Sequence, residues 1–403
     1  MNVERIRKDF PILQNRWMAY LDNAATSQKP RLVIDAINHF YQYQNFNVHR
    51  SVYTPAQQTT DAYENVRQKV ADFIHADRAQ DIIFTRGTTE SLNMVASDFA
   101  MQHVHHGDEI VVSITEHHSN LLPWMRVAKA NGAKLKYIPI LDDGCLDLDA
   151  AKKLITSKTK IVALTAVSNV LGTINPIEII GKLAHQNGAM YVVDAAQAAP
   201  SIPLDVQKFH PDFMAFSGHK MLGPTGIGVL YGTQHALKQM QLPELGGEMI
   251  EDVSTTDFST KPIPWCFEAG TPNIAGVIGL GAAIDYLNQI GMDQIEKYCR
   301  NLAQYLADQL RKDKHVIVYG PKRRQSGIVS FNIRGLHAHD AATFLDLQHI
   351  YVRAGHHCAE PLVHCLGTEA TLRASLYFYN NRNECDRLIS SVKKMEMFFC
   401  HGH

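Results

Sequence analysis

Three residues of this chain could do chemistry together if the ends of apolar segments meet. Lys220 closes the run Ser217-Gly218-His219-Lys220, directly after the apolar stretch DFMAF (212–216). The preceding apolar stretch, AMYVVDAAQ (189–197), ends in Asp194 and Gln197. Open α/β sheets bind ligands outside the carboxyl ends of their strands, and all three side chains occupy that position if both stretches are strands. A lone loop lysine is ordinarily a solvated surface residue. An acid and an amide in the same topological position point instead to an amine kept for Schiff-base chemistry.

Pyridoxal phosphate (PLP) needs those groups: an amine for the imine, a carboxylate to keep the pyridine nitrogen protonated, and a donor for the ring oxygen. Its phosphate needs a further site. RGTTE (86–90) joins a strand-like run to a helix-like one, and the free N–H groups there, with the hydroxyls of Thr88 and Thr89, suit a dianion. Ser217 and His219 complete that cup. His117 and His118, in TEHHSN, follow another strand end, where an imidazole can lie on the cofactor ring and carry protons. Taken singly, each is a solvated loop histidine.

The cysteines stand at 145, 266, 299, 358, 365, 385 and 400, an odd number with no C-x-x-C pair, which argues against a disulfide framework. Unpaired cysteines are commonly buried and inert, the reading given to Cys145, Cys266, Cys299, Cys385 and Cys400, and to Cys365 in the apolar helical run LVHCLG. Cys358 differs. In RAGHHCAEP, Gly355 gives the loop freedom, Pro361 ends it, and Arg353, His356 and His357 make the surroundings electropositive, which favours thiolate. Three consecutive side chains diverge too far to close on one ion, and no second ligand pair stands at zinc-motif spacing, so no metal is expected at Cys358.

The elements that must position these residues are legible as patterns. Between Asp81 and Tyr231, DIIF, DEIVVSI, KLKYIPI, KIVALTAV, AMYVVD, DFMAF and GIGVLYG read as strands. Their continuous hydrophobicity predicts an α/β fold, a mostly parallel sheet covered by helices on both faces. Tyr63, Val66, Val70, Phe73 and Ile74 mark an amphipathic helix leading in. Ile295, Tyr298, Leu302, Leu306 and Leu310 mark a long helix crossing to a smaller α+β unit, with strands in GIVSFNIR and TLRASLYFY and helices around Ala341 and Leu388. The expected division is a large domain over 17–290 and a small one over 291–403, on which 1–16 pack. GPTGIG (223–228), LPELGGE (242–248) and EAGTPN (268–273) read as loops bordering a site. No G-x-G-x-x-G follows the first strand and no G-x-x-x-x-G-K-[ST] occurs, which sets aside a Rossmann dinucleotide site and a P-loop.

Composition narrows the function classes. The chain has 403 residues, 45% hydrophobic and 20% charged, with 39 basic against 40 acidic side chains, so disorder and coiled coil are poor readings. A net charge of −1 lacks the positive excess that nucleic-acid binding needs. The N-terminal MNVERIRKDF carries no signal-peptide core, and the longest apolar runs are short, such as IVALTAV (161–167), so a cytoplasmic protein without a membrane partner is expected.

LDNAAT, VHRS, RGTTE, TEHHSN, VSNVLGT, VDAAQ, FSGHK, GPTGIG, FEAGTPN, VRAGHHCAEP and RAS occur in the order seen in group II, SufS-type cysteine desulfurases, of the class V aminotransferase family of fold type I PLP enzymes. The resemblance spans residues 10 to 400. It implies that Lys220 is the Schiff-base lysine, that Asp194 meets the pyridine nitrogen and Gln197 the ring oxygen, and that His117 stacks on the ring. Thr89, Ser217 and His219 resemble phosphate ligands, and Thr271 resembles one that reaches the phosphate from the other subunit of a homodimer. Asn169 and Arg373 resemble substrate-carboxylate ligands, with Arg353 nearby, and a planar guanidinium grips a carboxylate bidentately. His49 and Arg50 resemble pocket residues lent across the dimer. The reaction implied converts L-cysteine to L-alanine: freed Lys220 takes the Cα proton, the Cys358 thiolate attacks the substrate sulfur, and a persulfide remains on Cys358. His117 would carry the proton to or from the substrate thiol.

Such enzymes hand sulfur to an acceptor protein for iron–sulfur cluster assembly, either SufE-like or zinc-binding and SufU-like. His339, after His337 in LHAHD, matches the histidine that takes a zinc ligand's place in partners of SufU-like acceptors; exposed histidines on a polar turn are the plain alternative. Departures from the pattern include Ala354, where some relatives have threonine, and Glu360, where others have glutamine or methionine. Selenocysteine lyase or simple aminotransferase activity on the same fold, and a metal-handling role for the 21 histidines, remain the competing readings.

Overall fold

The computed structural model describes residues 1–15 and 17–399; Cys400 and the terminal His-Gly-His lie outside the described residues. The seven apolar runs form a seven-stranded sheet: β1 (Ile82–Thr85), β2 (Glu109–Ser113), β3 (Lys134–Ile138), β4 (Thr159–Thr165), β5 (Met190–Asp194), β6 (Phe213–Ser217) and β7 (Gly228–Gly232). The spatial order is β1-β7-β6-β5-β4-β2-β3. Strands β2 to β6 are mutually parallel, and β7 runs against both its neighbours.

Alternation explains why these runs are apolar throughout. Val111, Val193, Met214 and Phe216 face one buried cluster, while Ile110, Val112, Val192, Phe213 and Ala215 face another on the opposite side. Only β3, at the sheet edge, is largely accessible, and its Lys134 and Lys136 suit an edge strand.

Six of the strands point the same way, so the turns after β1, β2, β4, β5 and β6 gather at one edge. One close approach there depends on glycine. A Cβ on Gly228 would lie 2.4 Å from the Gly87 Cα, so β7 passes the turn after β1 only without a side chain. The chain then enters α2 (Thr88–Met94), which continues through a π turn and a last α turn to His103.

The helix preceding the sheet, α1 (Thr54–Phe73), begins nine residues before Tyr63, the first residue of the amphipathic pattern. Its Arg67, 1% exposed, binds Glu268 through two nitrogens at 2.6 and 2.9 Å, anchoring the loop that carries Thr271. The buried helix α3 (Ile274–Ile290) meets α4 (Met292–Leu310) at a bend of 75°. Among the described residues no single helix is long and apolar enough to cross a membrane.

Beyond α4 lies a four-stranded antiparallel sheet of β8 (Val316–Val318), β9 (Ile328–Ile333), β10 (Arg353–Gly355) and β11 (Thr371–Ser375), in the order β8-β9-β11-β10. It is accompanied by α5 (Ala338–Asp346), α6 (Glu360–Cys365) and α7 (Arg382–Phe399). The N-terminal residues bridge the two sheets' surroundings. Arg7 bonds Tyr379 O and Glu384, while Phe10 packs edge-on against Tyr286 of α3 and Phe378.

Candidate active site

The gathered strand ends open onto a cavity of about 260 Å³. It is lined by Lys220, Asp194, Gln197, His117, Thr88, Thr89, Ser217, His219, Asn169, Arg353, Arg373 and Cys358. Residues far apart in sequence thus share one chamber.

Lys220 ends the turn Gly218–Lys220 after β6. Desolvation lowers its ammonium pKa, opposed by Asp194 and reinforced by Arg373, so the amine is easily released from its proton. Asp194, at the end of β5, is 2% exposed and accepts from Ala196 N at 2.8 Å. Burial raises its pKa, with the Ala196 amide and Lys220 acting against that. A buried carboxyl of this kind, facing a cavity, is matched by a cationic ring nitrogen. Gln197 Nε2 donates to Ala24 O at 2.7 Å and has a second N–H for a ring oxygen.

Ser217 Oγ receives Thr88 N at 2.8 Å and contacts Thr88 Oγ1 at 2.7 Å. Thr88 therefore builds the wall of the cup, with both polar groups already engaged. Thr89 Oγ1, which pairs with Ser119 Oγ at 2.8 Å, remains accessible, and nothing in the sequence marks Ser119 for this place. The His219 ring is pushed down to about 4, first by burial and then by Lys220.

His117 Nδ1 accepts from Ser119 N at 3.1 Å, which assigns its proton to Nε2. Burial, and then the Lys220 charge, hold its pKa down at about 3, so the ring is neutral at pH 7. Beneath this turn, Glu116 is fully enclosed and pushed up to about 8 by burial, bonded to Ser113 and Asn120.

Arg373 on β11 donates to Asn169 O at 2.9 Å and to Asp22 Oδ1 at 3.0 Å, and its Nε is buried without a partner. Arg353 stands directly opposite it in the β10–β11 ladder. Like charges across a ladder repel, and an anionic group between them relieves the repulsion. The carboxylate of an amino acid meets that requirement.

Cys358 is exposed. Its loop, expected to be free, is instead pinned on both sides. Asn169 Nδ2 donates to His357 O at 2.6 Å, His118 N to Cys358 O at 2.7 Å, and Glu360 N to His118 Nε2 at 3.2 Å. His357 and Cys358 both have φ of +56°, a conformation that costs a non-glycine residue about 1 kcal/mol or more. Those hydrogen bonds hold it. His118, in the sequence no different from its neighbour His117, is thus a positioning residue for the cysteine.

His357 does not make the thiol's surroundings positive as expected. Its ring is 5% exposed, its Nε2 meets Thr371 O at 3.0 Å and Thr371 Oγ1 at 2.8 Å, and burial followed by Arg373 pushes its pKa down to about 3. Between the unfolded value near 6.5 and this folded value, the unfolded chain binds a proton that the folded chain excludes. The stability contributed is complete above that window and is lost as pH falls through it. The variant His357→Gln will therefore lose less thermal stability than the parent between about pH 7 and about pH 5. Equal losses in melting scans of the two proteins would contradict the assignment.

Two cysteines also depart from expectation. Cys365 ends α6 in solvent, because that helix turns Leu362 and Val363 inward, and Cys145 is half-buried; Cys266, Cys299 and Cys385 are buried as expected. Thr271, His49 and Arg50 lie outside the Lys220 cavity of their own chain. Thr271 lines an adjoining cavity shared with Thr88, Thr89, Ser217 and His219. His49 meets Glu64 at 3.0 Å, and Arg50 donates to Ile250 O at 3.1 Å.

The aminotransferase class-V family model matches residues 19–388. A probable cysteine desulfurase of Halalkalibacterium halodurans is 51% identical over 100% of both chains, and one of Staphylococcus aureus is 48% identical over 99% of this chain and 98% of its own. Among solved structures, the apo cysteine desulfurase of Thermococcus onnurineus NA1 superposes with a TM-score of 0.94 at 44% identity, covering 97% of each chain. The cysteine desulfurase CsdA of Escherichia coli, in an S-sulfonic acid form, gives 0.93 at 42% identity over 99% of each. With a seven-stranded sheet, a lysine and a buried acid at its strand ends, and similarity over the full length, this chain belongs to the class V aminotransferase family of fold type I PLP enzymes, in its cysteine desulfurase branch.

Proposed function

We propose that this protein converts L-cysteine to L-alanine and carries the sulfur as a persulfide on Cys358, in the manner of SufS-type enzymes. One observation carries the reading: Cys358 is open to solvent and also lines the cavity of Lys220, Asp194 and His117. A thiol so placed can meet both a substrate inside and an acceptor outside.

Lys220 would hold PLP, with Asp194 at its pyridine nitrogen, Gln197 at its ring oxygen, and Thr89, Ser217 and His219 at its phosphate. Bound there, PLP supplies the electron sink that acidifies the substrate Cα–H. Arg373 and Arg353 grip the substrate carboxylate. The Lys220 amine, its pKa lowered by burial, takes the Cα proton at Nζ. Cys358 Sγ attacks the substrate sulfur, so that an S–S bond forms as the Cβ–S bond breaks. His117, neutral with Nδ1 held by Ser119 N, would give its Nε2 proton toward the substrate thiol. Selenocysteine suits the same pocket, because selenium leaves more easily.

The persulfide passes to an acceptor protein serving iron–sulfur cluster assembly in the cytoplasm. A zinc-binding, SufU-like acceptor is favoured over a SufE-like one by His339. Its ring atoms stand 3.9 Å from where a Cβ on Gly355 would lie, beside the strand leading to Cys358, and the ring stacks on His337 at 5.3 Å. A homodimer is supported by the exposed Tyr41, Tyr43, Val52 and Tyr53 and by Val253 and Phe258, near which Arg50 joins the two segments. Thr271, His49 and Arg50 then serve the neighbouring subunit's pocket. A division into a large and a small domain near residue 290 is supported by the two separate sheets.

The test mixes the holoenzyme with L-cysteine and measures alanine and protein-bound persulfide with and without each acceptor type. Alanine release without a keto acid, and acceleration by the zinc-binding acceptor that His339→Ala loses, are expected. Alanine formed only when a keto acid is present would make it an aminotransferase, and undiminished acceleration in His339→Ala would eliminate the zinc-exchange role.

A further inference from the structure

The segment around Cys358 carries three side chains that bind neither substrate nor the reacting atoms in the proposed reaction. His356 precedes the cysteine by two residues, Glu360 follows it by two, and His364 lies one helical turn beyond Glu360 on the same face of α6. The consecutive left-handed residues His357 and Cys358 turn the chain back on itself, and Ala359 N donates to His356 O at 3.0 Å. This brings His356 over the first turn of the helix. Its ring centroid lies 5.7 Å from that of His364, nearly perpendicular to it. One ligand atom from each of the three residues lies within 4.8 Å of the others.

We propose that His356, Glu360 and His364 form a divalent-metal site of the zinc class that straddles the sulfur-carrying cysteine. Two imidazoles and one carboxylate, with an open fourth position, are a ligand set suited to zinc, and imidazole nitrogens disfavour magnesium or calcium. Donor atoms around a tetrahedral zinc stand roughly 3.3 Å apart. The spacing here closes to that value by rotation of Glu360 and His364, whose side chains are about half exposed and whose closest atoms are 4.0 Å apart. Glu369, 3.9 Å from His364 Nε2, competes for that ring or supplies the fourth ligand. A surface ion pair of Glu360 with His364 accounts for two of these residues but not for the half-buried His356 ring held against them.

Occupancy ties the main chain on both sides of Cys358 to one ion. That slows sulfur release to an acceptor, a consequence resting on Cys358 as the sulfur carrier; binding itself does not depend on that reading. Zinc titration of the holoenzyme, by calorimetry and by competition with a chromophoric chelator, is expected to show one ion per chain. Cys358→Ala should retain that ion. His364→Ala and Glu360→Gln should each weaken binding at least about tenfold, as loss of an inner ligand exceeds the effect of an outer one. Both side chains are exposed, so the core is untouched, and melting scans verify it. A zinc-edge anomalous peak between residues 356 and 364 in a zinc-soaked crystal supplies a second readout. Absence of stoichiometric binding, or binding lost in Cys358→Ala and kept in His364→Ala, would overturn the proposal.

Discussion

Cys358→Ala is expected to keep its yellow cofactor and to lose alanine formation from L-cysteine by several orders of magnitude. Removing a nucleophile that acts as one unit with its partners abolishes nearly all the rate they provide together. The groups proposed to hold the cofactor are independent of the thiol, since Lys220, Asp194 and Gln197 sit at the ends of β5 and β6 while Cys358 follows β10. The substitution also leaves the fold intact. The side chain is exposed, and the loop is held through Asn169, His118 and the main chain of Glu360 rather than through sulfur. Absorption spectra and alanine quantitation on one preparation check both halves. Full cysteine turnover by this variant would remove Cys358 from the mechanism.

Lys220→Ala should abolish the covalent attachment of PLP and reduce turnover by at least the roughly 10²–10⁴-fold that a positioned acid–base group supplies. Borohydride reduction followed by peptide mass spectrometry should find the cofactor on the Lys220 peptide of the parent and on no peptide of the variant. The cofactor-free variant should melt no lower than the cofactor-free parent. Burial lowers the lysine pKa, so the charged form is disfavoured in the fold at neutral pH, and deleting it removes that cost. A reducible linkage persisting in the variant would refute the assignment.

The strands were legible because each is an apolar run buried on both faces, and burial follows from side-chain type alone. All seven runs between 81 and 232 became strands, and the residues at their ends fell into one cavity. What could not be read was the second layer. His118 resembles any loop histidine until its backbone N–H is seen to bind Cys358 O and its ring to receive Glu360 N, 242 residues away. Asp22 becomes the counter-charge of Arg373 across 351 residues. His357 reads as a cation beside a thiol, yet packing against β11 strips its water and holds it neutral.

Residue type and order alone thus settled the α/β class and the placement of the lysine and acid at adjacent strand ends, and they pointed to Cys358. Hydrophobic period and strand polarity are local properties, and they carry that information without reference to distant parts of the chain. Which histidines are charged, how firmly the cysteine loop is held, and that His356 meets His364 were decided by tertiary structure. Desolvation and hydrogen-bond geometry arise only when the small sheet closes over the ends of the large one, and they depend on neighbours that sequence spacing does not reveal.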